Sequence, residues 1–219
     1  DERGFGQTKY DGEPFSYWDS AADCLGLLDH LGIDRAVVGG MSQGGFLSLR
    51  VALSAPERVR GLILLDTESG VPAPETMEAE QGMVDMWLSV GPVDDLANPI
   101  ATLIIDDPVE NPKWIAKWQA APKESMLEPA RCLHGRDDIT DRLGEITCPA
   151  LVVHGTEVTA IEMHKAEGPR AGPAPPPNPG TRPSTPVANT IPTPCKIAPI
   201  GCFSRNSTRY SIWARMLDA

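Results

Sequence analysis

Between residues 36 and 55 an apolar run, a glycine-flanked serine and an amphipathic stretch follow one another with no spacer. Ala36-Val37-Val38 is the kind of short apolar run that a strand buried on both faces requires. Gln43 to about Ala55 reads as a helix that stops at Pro56, whose ring cannot be accommodated in a continuing helix. Gly40-Met41-Ser42-Gln43-Gly44 lies between them, so strand must reverse into helix almost at once. That reversal strains the serine backbone, and glycine at both flanking positions is expected to keep side chains clear of the neighbouring strand and helix. It lifts the Ser42 hydroxyl off the sheet and places the Gln43 amide at a helix N-terminus, where it can donate to a developing oxyanion with the helix dipole adding to it. Ser42 is thus a candidate nucleophile, Gln43 a candidate oxyanion donor, and Gly40 and Gly44 the glycines of the turn.

The flanking sequence extends the pattern. Residues 16–31 place Tyr17, Ala21, Cys24, Leu25, Leu28 and Leu31 at spacings of three and four, which predicts an amphipathic helix. Ser16 and Asp19 have the form of a capping box, and Gly32 stands where a left-handed terminating residue is wanted. Arg60–Leu65 and Pro149–Val153 read as two further buried strands. Strands alternating with helices imply a mostly parallel sheet and an α/β fold. The stretch from Thr67 to Cys148 is too long for a bare loop in a compact domain. Met83, Met86, Trp87, Trp114, Ile115 and Trp118 suggest short helices there, broken at Pro92, Pro99, Pro108, Pro112, Pro122 and Pro129. These side chains either pack on one another or line an apolar site beneath a lid.

Charge and proline divide the chain after Glu167. Residues 1–167 hold 29 acidic and 13 basic residues, whereas residues 168–219 hold 1 and 6, with 11 of the 22 prolines. The expected domain plan is a core over 1–70 carrying the turn, a helical lid over 71–147, core again over 148–167, and a proline-rich tail over 168–219. No run of 18 apolar residues exists to cross a bilayer, and no Lys/Arg cluster exists to neutralise a phosphate backbone, so neither membrane nor nucleic acid is an expected partner. The five cysteines are odd in number and lack a Cys-x-x-Cys pair, which indicates no metal site and no disulfide framework and fits a reducing, cytoplasmic setting.

The sequence resembles the α/β-hydrolase family, most closely its 3-oxoadipate enol-lactonase-like and small esterase members. Four motifs carry the resemblance in order: Asp1-x-Arg3-Gly4-x-Gly6-x-Thr8, Gly40-Met41-Ser42-Gln43-Gly44, Ala55-Pro56-Glu57-Arg58-Val59, and Pro149-Ala150-Leu151-Val152-Val153-His154-Gly155-Thr156-Glu157. The resemblance runs from residue 1 to about 167. It implies an α/β-hydrolase fold with a helical lid, and hydrolysis of a small-molecule ester or lactone through an acyl-enzyme on Ser42, without a cofactor. The alternatives it leaves are a cofactor-free haloperoxidase or perhydrolase using the same turn, and a hydrolase-like binding module without catalysis.

A serine hydroxyl needs a histidine base, and the histidine needs an acid to hold its tautomer. The resemblance places the acid in a His-Gly-x-x-Asp pattern after the third strand read here, where this chain has Val158. Glu157, adjacent, and Asp66, at the end of the second strand, are the two candidates; a surface charge and a cap on the following segment are their structural alternatives. None of His30, His134, His154 and His164 falls in the expected Gly-x-Gly-His pattern, and His134 is the one candidate to reach Ser42 from above. Residues 168–219, where that pattern is expected, suggest an out-of-frame or foreign translation. The resemblance also places earlier strands and a second oxyanion donor before Asp1, which leads to the expectation of weak catalysis or none. Oligomeric state is left open.

Overall fold

A computed structural model describes residues 1–155. Glu157, Val158, His164 and the 168–219 tail therefore lie outside the described residues. Three strands, β1 (Ala36–Met41), β2 (Val59–Leu65) and β3 (Ala150–Val153), form a parallel sheet in the order β1-β2-β3. Parallel neighbours require crossovers. The first is α2 (Gln43–Ser54) and the second is the long helical segment that the sequence predicts between β2 and β3.

The helix preceding the sheet, α1 (Tyr17–His30), begins and ends as its sequence directs. Ser16 Oγ and the Asp19 carboxylate each take up the other's backbone amide, completing the capping box. At the other end Gly32 adopts φ +67°, its amide bonds to Asp29 O, and the Ile33 amide reaches back to Leu28 O. These two bonds make a Schellman motif, which only a residue tolerant of positive φ can close. Burial is confined to the first half of the helix, where Tyr17, Ser20 and Ala21 pack, while Leu31 at the end of the predicted stripe is exposed.

One face of the sheet is the core. Val38, Leu62, Leu64, Ala150 and Val152 share it, by register and pleat, and α2 covers it with Leu49 and Ala52, backed by Ala21 of α1 and by Ile139 and Ile146. On the opposite face Val37, Met41 and Val153 are 56%, 44% and 47% exposed. The expectation that β1 is buried on both faces is thereby corrected. The apolar character of Ala36-Val37-Val38 reflects one buried face and β propensity, since the described helices cover one side alone.

The segment between β2 and β3 folds into α3 (Pro74–Val90), α4 (Asp94–Ile104), α5 (Asn111–Ala120) and α6 (Leu127–His134), with a 3-10 turn leading from α5 into α6 and another between α6 and β3. Pro92, Pro108 and Pro122 fall between elements and Pro112 in the first turn of α5, as helix-breaking residues should. Pro99 departs from the expectation and lies inside α4. Burial of Leu96, Ala97 and Ala101 on one side of α4 offsets the backbone bond that the proline cannot make. Pro129 is likewise carried within α6, close to its start. Trp87 and Ile115 are buried, and Trp87 meets Trp118 edge-on at 5.8 Å, so these three pack on one another. Met83, Met86 and Trp114 remain exposed. Among the described residues no helix is long and apolar enough to cross a membrane.

Candidate functional site

All three strands end along one edge. Met41, Leu65 and Val153 form the last paired row, and the ladder continues one step beyond it: the Ser42 amide bonds to Leu65 O at 3.0 Å and the Asp66 amide to Val153 O at 2.9 Å. Ser42, Asp66 and His154 consequently stand side by side at the carboxyl ends of adjacent strands. This is the edge where open α/β sheets place their ligands. By contrast, the shallow groove lined by Asp29, Arg35, Glu57 and Arg58 precedes β1 and β2 at the opposite edge, away from these residues.

Ser42 carries the strain predicted from its sequence context. Its φ of +50° and ψ of −114° lie in a region that side-chain-bearing residues rarely occupy. Three contacts impose it. Gly45 and Phe46 amides bond to Ser42 O at 2.8 and 3.2 Å as α2 begins, and the Thr67 hydroxyl donates to the same oxygen at 2.8 Å. The turn also needs glycine, but not at both of the expected places. A Cβ on Gly40 would stand 2.6 Å from Gly44 Cα, and one on Gly45 would stand 2.5 Å from Thr67 Cβ, whereas one on Gly44 would meet nothing within 4 Å. Gly40 is therefore required because the helix backbone crosses directly over it, and the second close approach belongs to Gly45 rather than Gly44.

Gln43 is the first residue of α2, so its amide has no intrahelical acceptor, and none is found among the described residues. Its side chain is fixed from a distance: Tyr17 Oη donates to Gln43 Oε1 at 2.8 Å. Burial above all, with Cys132 and Glu2 adding, pushes the Tyr17 hydroxyl well above the usual phenol range, which keeps it protonated as a donor. The ring meets Phe46 of α2 edge-on at 5.7 Å, so the start of α1 braces the start of α2.

Of the two acid candidates, Asp66 lies in the described residues. It adopts φ +43° and its Oδ1 accepts the Gly155 amide at 2.7 Å, tying β2 to the end of β3. The alternative role of capping the following segment falls away, because α3 begins at Pro74 with Ala73 as its cap. His154 Nδ1 lies 3.8 Å from Asp66 Oδ1 and 2.9 Å from Gly155 O. Its side chain is 7% exposed, and among the described residues its buried Nε2 has no hydrogen-bond partner. His134 is engaged elsewhere: Nδ1 lies 3.2 Å from Gln81 Oε1 and Nε2 3.4 Å from Glu80 Oε2, both on α3. The histidine singled out from the sequence thus joins α6 to α3, while His154 stands beside Asp66. The signal that could have found His154 is the alignment of strand ends, since Met41-Ser42, Leu65-Asp66 and Val153-His154 all terminate apolar runs.

Among the described residues no group of three or more His, Cys, Asp and Glu side chains is arranged to hold a metal ion.

Comparison with known proteins converges on one family. The sequence profile described as "alpha/beta hydrolase fold" matches residues 1–157. Over 168 residues the chain is 32% identical to a 2-hydroxymuconate semialdehyde hydrolase of Pseudomonas putida, covering 73% of this chain and 58% of that protein. It is 25% identical to 3-oxoadipate enol-lactonase 2 of Acinetobacter baylyi, covering 72% of this chain and 59% of that one. Among solved structures, a thermophilic esterase from Thermogutta terrifontis superposes with a TM-score of 0.62 at 29% identity, over 71% of this chain and 60% of the other. The chain spans less than two thirds of the length of each of these relatives.

Proposed function

Because the chain belongs to the α/β-hydrolase fold family, we propose that it acts on a carboxylic ester or lactone, with Ser42 as nucleophile, the Gln43 amide as oxyanion donor and Asp66 as the acid. The observation that carries the reading is the Ser42 backbone. A φ of +50° on a serine at a strand-to-helix turn is held by three hydrogen bonds to its carbonyl, and such strain persists where the surroundings over-determine it. The same turn leaves the Gln43 amide without an acceptor at the positive end of α2.

Attack of Ser42 Oγ on the carbonyl carbon, as its proton passes to a general base, moves the carbonyl electron pair onto oxygen, where the Gln43 amide meets it. Collapse breaks the C–O bond as that proton is delivered to the departing oxygen, which expels the alcohol, or opens the lactone, and leaves an acyl-serine for water to hydrolyse. A donor of this kind is worth about 10²–10³ in rate. The substrate class is supported by the enol-lactonase and esterase relatives, and the helices between β2 and β3, with Met83, Met86 and Trp114 exposed, supply apolar surface for a lid.

A fluorophosphonate probe tests the assignment directly. Stoichiometric phosphonylation at Ser42, with hydrolysis of a short-chain nitrophenyl ester lost in Ser42→Ala, is the expected result. Ester turnover that survives Ser42→Ala would remove Ser42 from the mechanism.

A further inference from the structure

We propose that Tyr17 is a positioning residue for the site: its hydroxyl holds the Gln43 side-chain carbonyl away from the start of α2, so that the Gln43 backbone amide stays open to the substrate oxyanion. This role rests on the reading of that amide as oxyanion donor. A helix leaves the amides of its first turn without intrahelical acceptors, and nearby side-chain oxygens are the groups that usually take them. In α2 such oxygens are scarce. Ser42, the residue before the helix, makes no side-chain cap bond, Gly44 and Gly45 carry no side chain, and no acidic residue stands in the first turn. Gln43 is left as the one residue of that turn whose side-chain oxygen can close back on these amides. Glutamine is suited to it, since in capping boxes its side chain accepts a backbone amide at a helix start. Unrestrained, Oε1 would occupy the donor that the reaction needs.

Tyr17 draws that oxygen the other way, its Oη donating to Gln43 Oε1 at 2.8 Å. The ring is 2% exposed, and burial keeps the hydroxyl protonated and hence a donor. It has little freedom to withdraw. Tyr17 opens α1 directly after the Ser16 cap, and its ring meets Phe46 edge-on at 5.7 Å and lies 5.5 Å from the Arg50 guanidinium carbon. Arg50 Nη1 donates in turn to Phe46 O at 3.1 Å. Phe46 and Arg50 stand one and two turns beyond Gln43 on the same face of α2. The ring is therefore seated against the helix whose first side chain its hydroxyl holds.

Two substitutions separate this role from packing. Tyr17→Phe removes the hydroxyl and keeps the ring, whereas Gln43→Met removes Oε1 and keeps the backbone amide. The full chain is labelled at Ser42 with a fluorophosphonate, whose phosphoryl oxygen takes the place of the oxyanion, and the rate is followed by mass at several probe concentrations. In Tyr17→Phe the maximal rate is expected to fall about 10-fold at an unchanged half-saturating concentration, short of the 10²–10³ of losing a donor outright, because the freed side chain competes for the amide without abolishing it. Adding Gln43→Met to Tyr17→Phe is expected to raise that rate several-fold, since the competing oxygen is gone. In the unsubstituted chain the Gln43 amide proton is expected to shift downfield when the phosphonyl adduct forms.

Labelling of Tyr17→Phe at the unsubstituted rate, with the Gln43 amide shifted in the adduct, overturns the role of Tyr17 and leaves the oxyanion donor standing. So does a slowed Tyr17→Phe that Gln43→Met does not quicken, which assigns Tyr17 to packing. An adduct in which the Gln43 amide does not move, or a chain that does not label at Ser42, overturns the reading of the site and the role of Tyr17 with it. Should Tyr17→Phe fail to fold, hydrogen exchange of the unsubstituted chain decides: the Gln43 amide is expected to exchange as an open one, and a Gln43 amide already protected in the free chain overturns the proposal.

Discussion

The Thr67 hydroxyl donates to the Ser42 carbonyl at 2.8 Å, joining the residue two past the end of β2 to the strained residue at the end of β1. Ser42 O already receives the amides of Gly45 and Phe46, so Thr67 is a third donor aimed at one oxygen. Its role is to hold the carbonyl, and with it the serine φ, against relaxation.

Thr67→Val keeps the shape of this buried side chain and removes the hydroxyl. Ser42 O keeps its two amides, so no acceptor is orphaned and the expected loss is about 1 kcal/mol in urea unfolding. The fluorophosphonate labelling rate should fall more than stability does, because the bond acts on the nucleophile's backbone. Equal labelling by the two proteins would show that Thr67 serves packing alone.

The glycines of the turn separate cleanly by substitution. Gly40→Ala puts a methyl group against the backbone of Gly44, which cannot swing aside as a side chain would, so unfolding or severe destabilisation is expected. Gly44→Ala meets open space inside a helix and should be neutral or stabilise by up to about 1 kcal/mol. Thermal melts of the two variants check the contrast. A destabilised Gly44→Ala would mean that α2 sits closer to β2 than described.

A buried ion pair anchors the helical segment to the site. Arg136 Nη2 lies 2.9 Å from Glu68 Oε1, with side chains 3% and 6% exposed, and the guanidinium lies 4.5 Å from the Phe46 ring centroid. Arg136 also donates to Leu133 O and Gly70 O. Arg136→Met leaves the Glu68 carboxylate buried and uncompensated and should cost about 3–5 kcal/mol, whereas Arg136→Met with Glu68→Leu should recover much of it. A double-mutant cycle in urea measures the coupling.

How much of this was legible in sequence follows from chain separation. The helix over Tyr17–His30, its Ser16–Asp19 cap and its Gly32 terminus are written within three or four residues of one another, and each was readable. The turn at Ser42 was readable for the same reason, its strand and helix being adjacent in the chain. The Thr67–Ser42 bond spans 25 residues and the Asp66–Gly155 bond 89, and both exist because three parallel strands end in register. No local pattern encodes register. His134 looked available from its place in the chain, and its engagement by Glu80 and Gln81 depends on how α6 packs against α3. The exposed face at Val37, Met41 and Val153 was hidden for a related reason, since an apolar run does not say how many layers cover it.

Acid should weaken the fold through Asp137. Its carboxylate bonds to Nη2 of Arg50 at 2.7 Å and to Trp18 Nε1 at 3.1 Å, and Arg50 is 2% exposed between the Tyr17 and Trp18 rings. Burial is the largest single influence on this carboxyl and pushes its pKa up, but the hydrogen bond and charge of Arg50, with the further bonds to Trp18 and its own amide, together hold it below the ordinary carboxylate value. A depressed folded value means that the unfolded chain binds the proton more readily. The contribution is therefore fully present above the ordinary value of about 3.9 and is lost as pH falls through the folded value. Asp137→Asn should accordingly be less stable than the unsubstituted chain at pH 7, with the difference shrinking as both are titrated below pH 4. Urea midpoints measured across that range check it, and a gap that persists undiminished into strong acid would assign the effect of the substitution to packing around Arg50 rather than to charge.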